Sequence, residues 1–365
     1  MRAAIGIAAL GLELVLAAGL FAADSLYVPG VALAALGLGA PTWVALAARR
    51  TRVARRLGAH HLEEGQPLAV VYEVRRGRVP PSPALAVEDV LLPATRPVRV
   101  PRRGVARVRV EVSPPRRGRH ALAPPVLVLS DPLGLVRHRV SSPGEESELL
   151  VLPRTSPVRG ALLAAGGAVG AASLLRSVEA AGEVDGLRPY REGAPAARIH
   201  WPALARGAGL VERQVPPEED TRPLVVLDAR APAHEEDLDA AVRAAASLCL
   251  ELARRGGCSL LLPGQRRALA VERDLRAWPG AHARLALVEA GAAPAAPRLS
   301  APRRGPVLYV AARELGSWPA ALAGSSRGER IIVLPGAARG RMAAFTVAGC
   351  TGVRITRPRH PAVPA

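Results

Sequence analysis

Lysine and asparagine are absent from all 365 residues, and phenylalanine occurs twice. These are residues with AT-rich codons, so the excess of Ala, Arg, Gly and Pro reads as GC-biased coding, with arginine replacing lysine on solvated faces. The net charge of +18 therefore does not by itself indicate nucleic acid as a partner, which requires a basic patch or a recognisable fold. Cysteine is scarce too. Cys249, Cys258 and Cys350 have no paired spacing that suggests a zinc site or a disulfide framework, and buried free thiols are expected. No Ser or Cys lies in an identifiable nucleophile elbow. An enzyme would recruit His200 with Asp228 or Glu183, without a positioned nucleophile; the chain is read as a non-enzyme that needs no cofactor.

What is present is apolar surface: 49% hydrophobic residues can fill two ordinary cores, in two or three domains. Residues 5–22 are apolar except for Glu13, and residues 26–48 form a second run without charge. At about 1.5 Å per residue each crosses, or nearly crosses, a hydrocarbon core of about 30 Å. Asp24 and Ser25 sit in the connection, Pro29 fits the first turn of the second helix, and Tyr27 and Trp43 suit the two interfaces. The pattern predicts a transmembrane hairpin over residues 1–50. A signal peptide would have a basic leader beyond Arg2, and its cleavage would still leave the second span. Arg49, Arg50, Arg52, Arg55 and Arg56 follow that span, so the positive-inside rule places both ends and all later residues in the cytoplasm, at the cell membrane. The same cluster leaves open a basic protein that binds anionic lipid or nucleic acid. Glu13 is expected to be protonated or helix-paired, with a functional intramembrane acid as the alternative.

From residue 51 to 154 the period becomes two, most clearly at Ala106-Arg-Val-Arg-Val-Glu-Val112. Short strands fit Leu68–Arg75, Val98–Val100, Val126–Leu129, Arg137–Val140 and Leu149–Leu152, with Pro and Gly clusters between them, and predict a small β-sandwich. Gly118 and Gly134 supply permissive φ to two turns and Asp131 an Asx-turn. His60 and His61 read as surface residues. Residues 155–181, rich in Ala and Gly, read as a flexible linker or surface-lying segment, because a third span would export the arginine-rich stretch after it.

That stretch, 182–222, gathers Arg188, Tyr190, Arg198, His200, Trp201 and Arg206. It is either a structural strap, its guanidinium groups pairing with carboxylates and stacking on Trp201 and Tyr190, or a site for an anion or an acidic partner surface. With no nucleophile and base beside it, the strap is the simpler reading. Pro223–Asp228 then starts a strand–helix alternation: a helix from about His234 to Arg255, strands at Cys258–Leu262, Arg267–Val271, Val307–Val310 and Arg330–Leu334, and helical segments near Leu275–Ala277, Leu285–Glu289 and Leu315–Leu322. This alternation predicts a mostly parallel, doubly wound sheet over 223–356 with Asp228 at a strand's carboxyl end. Pro294–Arg304 reads as a loop and residues 357–365 as a frayed tail.

Leu187, Arg188, Tyr190, Gly193, then Arg198, Ile199, Trp201, then Ala205 and Arg206 resemble the signature of the domain of unknown function 58 family, bacterial proteins with a von Willebrand factor type A-like domain. Arg116-Arg-Gly-Arg-His120 and Asp131-Pro-Leu-Gly-Leu135 resemble the two turn elements that precede that signature. The resemblance covers nearly all of the chain after residue 50. Ala194 stands where the family pattern has Asp, and Leu204 where it has Ser. The fold it implies is α/β plus β: an N-terminal transmembrane helical hairpin, a small β-sandwich, then a doubly wound von Willebrand type A-like domain. Such a domain carries Asp-x-Ser-x-Ser at the first strand end, giving a hard cation oxygen ligands. Here the run is Asp228-Ala229-Arg230-Ala231-Pro232, so the expected metal site is degenerate and binds none, with Arg230 paired to Asp228. The resemblance further implies an adaptor working with a MoxR-type AAA+ ATPase or a transglutaminase-like membrane protein.

Overall fold

In a computed structural model, which describes residues 2–49, 51–75, 83–101, 105–114, 116–141, 146–160, 187–189, 201–207, 209–213, 222–291, 305–319, 329–336 and 342–355, the two apolar runs are helices α1 (Arg2–Leu20) and α2 (Tyr27–Ala48). A single 3-10 turn, Asp24–Leu26, joins them. Small residues let their backbones touch: a Cβ on Gly11 would stand 2.3 Å from Ala34 N, and one on Gly37 would stand 2.5 Å from Ala8 N. This is the packing helices use where no water drives them together. Leu10, Leu12, Leu16, Leu20, Val28 and Val31 point outward and are exposed, and both helices are long and apolar enough to cross a membrane. Glu13 lies on the exposed face of α1.

The hairpin belongs to the first of two compact units, Met1–Val151 and Leu152–Ala365. The rest of that unit is β structure: β1 (Arg52–Leu57), β2 (His61–Glu63), β3 (Leu68–Arg75), β4 (Ala84–Glu88), β5 (Arg96–Val98), β6 (Val105–Val112), β7 (Gly118–Leu122), β8 (Val126–Ser130), β9 (Arg137–Ser141) and β10 (Ser147–Leu152). They form sheets ordered β1-β3-β6, β2-β10-β7 and β5-β4-β8-β9, and Val53, Val70, Tyr72, Leu85, Leu127 and Leu149 from all three share one apolar core. The alternation in β6 decides its faces: Ala106, Val110 and Val112 are buried, while Arg107, Arg109 and Glu111 are exposed. Both turns follow the sequence. Gly118 has φ +131° and Gly134 φ +71°, and Asp131 accepts the amides of Leu133 (2.9 Å) and Val136 (2.6 Å). His60 and His61 are exposed.

Strands β1, β2, β4 and β7 were not expected. Most instructive is β1, which contains three of the five arginines of the basic flank. Arg55 turns inward, 2% exposed, to Asp89 Oδ2 (2.9 Å) and to the carbonyls of Leu122 (2.9 Å) and Ala123 (3.0 Å). Arg56 pairs with the buried Glu73. A charged run can thus be a strand with one inward, ion-paired arginine rather than a solvated flank.

In the second unit a seven-stranded sheet is built from β13 (Leu224–Asp228), β14 (Cys258–Leu261), β15 (Leu269–Val271), β16 (Val307–Ala311), β17 (Arg330–Pro335), β18 (Ala343–Val347) and β19 (Cys350–Arg354). Before it come the short pair β11 (Leu187–Pro189) and β12 (Val211–Arg213), and the five-residue helix α3 (Trp201–Ala205). The large sheet is ordered β15-β14-β13-β16-β17-β19-β18. Its central four strands are parallel, and the flanking pairs are antiparallel. The result is a mixed sheet rather than a mostly parallel one.

Helix α4 (Glu235–Gly256) is as the sequence reads. Asp237 Oδ2 accepts the His234 amide at 3.0 Å, Gly257 stops the helix at φ +93°, and Leu238, Val242, Ala245, Leu248 and Leu252 are buried. Helix α5 (Trp278–Ala286) starts later than expected, because Leu275 has φ +58° and Pro279 sits in its first turn. Residues 315–319, expected as helix, are irregular, with Gly316 and Pro319 interrupting them. Among the described residues α4 and α5 enter the same apolar cluster on one face, whereas Leu315 and Trp318 pack on the other. Helices α4 and α5 therefore lie on the same face of the sheet. The start of the expected linker is tied down as well: Ser156 N donates to Ser247 Oγ (2.9 Å), and Arg159 bridges to Thr346. Residues 161–181, the expected loop 294–304 and the tail 357–365 lie outside the described residues.

Candidate functional site

Side chains on a strand alternate in direction, so Val226 and Asp228 share one face of β13, and Tyr309 and Ala311 share the same face of β16. Register sets Val226 opposite Tyr309 and Asp228 opposite Ala311. That offset lets the tyrosine ring reach forward to the carboxylate. Tyr309 Oη donates to Asp228 Oδ2 at 2.6 Å. Beyond the strand, Ala231 at φ +45° reverses the chain at a cost of about 1 kcal/mol for a non-glycine residue, and Arg230 folds back. Its Nε donates to Asp228 Oδ1 (2.7 Å), its Nη2 to Oδ2 (2.8 Å), and its amide to Oδ1 (3.1 Å). A carboxylate has about four acceptor positions, and all are used.

Asp228 is 2% exposed. Burial alone would raise its carboxyl pKa, but the Arg230 guanidinium, then the Tyr309 hydroxyl and the Arg230 amide, overcome that and hold it below the ordinary carboxylate range. Arg230 is pushed up by the same hydrogen bonds, and Tyr309 is pushed up by burial and by Asp228. The cluster is thus a fixed ion pair with a neutral phenol beside it. Trp318 tilts against Tyr309 with centroids 6.1 Å apart, and Arg330 lies 5.4 Å over the Trp318 ring.

This arrangement does not fit a hard cation. Asp228 has no free oxygen position, Arg230 brings a positive charge to the place a metal would take, and Pro232 offers no hydroxyl. Among the described residues no group of three His, Cys, Asp or Glu side chains could hold a metal ion. It does not fit a general base either, since the carboxylate is held ionised and saturated.

Of the signature residues, Arg188 stands opposite Glu212 in the β11–β12 ladder. Trp201 opens α3 with 59% of its surface exposed, Ala203 behind it is buried, and Arg206 is exposed. Tyr190, Arg198 and His200 lie outside the described residues, as do Glu183 and Ala194. The sequence pointed to Asp228 and Arg230 but missed Tyr309, whose phenol is hidden in an apolar strand and is placed only by the register of β13 with β16. The cysteines are free and buried. Two of them are neighbours despite their spacing, because the end of α4 and the start of β14 bring Cys249 Sγ within 3.3 Å of Cys258 Sγ. Their contact, then burial, pushes the Cys249 thiol up, and burial pushes Cys350 up to about 12.

No protein-family model matches the chain, and no characterised protein matches it significantly in sequence.

Proposed function

We propose that this chain is a membrane-anchored, cytoplasm-facing interaction protein of the domain of unknown function 58 kind, with a von Willebrand type A-like domain in which Arg230 takes the place of a metal ion. The observation that carries this reading is the closed Asp228–Arg230–Tyr309 cluster. Sheets with parallel strands present their sites at the carboxyl ends of those strands, and here that position offers an internally neutralised pair instead of a free acid. Two apolar helices with outward leucines support the anchor.

The exposed Trp201 and Arg206 support a surface that receives a partner, since aromatic and arginine side chains dominate the energetics of protein interfaces. By resemblance the partner is a MoxR-type AAA+ ATPase or a transglutaminase-like membrane protein. The test is a pull-down of the full-length chain, solubilised in detergent from its native membrane, beside an Arg188→Ala, Arg198→Ala, Trp201→Ala variant whose folding is verified by circular dichroism. Recovery of a specific partner by the wild type and its loss in the folded variant is the expected result. Equal recovery by both makes the stretch a structural strap and removes the interaction surface from it.

A further inference from the structure

Arg55 and Arg56 of the basic flank are engaged within the β structure, and Arg50 lies outside the described residues. Arg49 and Arg52 are different. Both are exposed and follow the last turn of α2, Arg49 as its C-cap and Arg52 at the start of β1. With Thr51, His138, Arg139 and Ser141 they line a groove of about 520 Å³ between the end of α2 and the sheet-edge strand β9.

We propose that this groove binds the headgroup phosphate of an anionic phospholipid. The proposal rests on the membrane-anchored reading: a bilayer that holds the 22 residues of α2 sets its phosphate layer level with Arg49 and Arg52. Among the described residues no carboxylate lines the groove. Arg139 is drawn to Glu88 at 2.6 Å, so the net positive charge is that of Arg49 and Arg52. The carboxyl end of α2 opposes an anion with about half a negative charge, one of its carbonyls, Ala47 O, being capped by Thr51 Oγ1 at 2.7 Å. Two full charges outweigh that half charge, and guanidinium groups match phosphate oxygens in pairs. Ala45, Ala48 and Val140 also line the groove and form an apolar ledge for acyl chains. An amphiphile therefore fits both parts of the site, whereas a free phosphate would use only one.

The experiment is native mass spectrometry of the full-length chain in neutral detergent with equal amounts of phosphatidylglycerol and phosphatidylcholine, repeated with excess inorganic phosphate. Wild type is expected to retain phosphatidylglycerol preferentially, and inorganic phosphate not to displace it. An Arg49→Gln, Arg52→Gln variant should lose about tenfold or more of that preference, since each basic residue near an anionic surface contributes on the order of 1 kcal/mol. An Arg96→Gln, Arg109→Gln variant carries the same charge change elsewhere and should keep it. Equal lipid preference in wild type and the Arg49/Arg52 variant overturns the proposal, and so does displacement by inorganic phosphate. Carbonate washing of native membranes separates the two claims. A chain that washes off refutes the hairpin and the groove together; one that stays bound yet shows no lipid preference refutes the groove alone.

Discussion

At the scale of the residue, the central feature is a buried carboxylate that has exchanged solvent for one arginine and one tyrosine. Replacing Arg230 by Ala would leave Asp228 buried with half of its acceptor positions unmet. The expected loss is about 3 kcal/mol, the lower end for removing one partner of a buried ion pair, because the Arg230 side chain is 23% exposed. Urea unfolding of the full-length chain in detergent, followed by tryptophan fluorescence, measures it. Acid should act on the same pair. The folded carboxyl titrates below its ordinary value of 3.8, so its contribution is fully present above that pH and is lost as pH falls through the lower folded value. In the same urea assay, wild type should lose stability below about pH 4 more steeply than Asp228→Asn, which has no such group to protonate. The Asp228–Arg230 pair was legible in the sequence, because both residues lie in one five-residue run. Tyr309 was not, since nothing local to Val307–Ala311 says which residue stands beside Asp228.

At the scale of the element, legibility followed periodicity. Helix α4 displays its acidic start, basic end, glycine stop and apolar stripe, and its core face was read directly. The hairpin β18–β19 went unread: its turn is Ala348-Gly349, with φ of +49° and +79°, and an alanine where Asn or Asp is usual removes the signal. Strand β1 was hidden by its arginines, and β7 by the glycine that begins it. The apolar runs of α1 and α2 were plain, but their close contact at glycine needed coordinates. Gly11→Leu should force the helices apart, since even a Cβ there meets backbone at 2.3 Å. Gly6→Leu and Gly39→Leu have open space and should be tolerated. Thermal unfolding in detergent should show a clear drop in midpoint for Gly11→Leu alone; equal midpoints in all three variants would remove the glycine contact as a cause of hairpin packing.

At the scale of the whole molecule, a helical hairpin with outward leucines, an antiparallel β unit and a mixed α/β unit follow one another along the chain; in the proposed reading they serve as anchor, spacer and presenting domain. The α/β plus β class and the helical pair were legible, because each region changes its hydrophobic period. Which sheet face each helix covers was not legible: alternation in sequence does not say on which side each connection crosses, and among the described residues α4 and α5 share one face. The carboxyl end of β13 is closed by the protein's own cation. Isothermal titration of the full-length chain with magnesium tests this most directly, beside Asp228→Ala. No saturable binding in either protein is the expected result, whereas tight binding by wild type that vanishes in Asp228→Ala would mean that the position still holds a metal and that Arg230 moves aside for it.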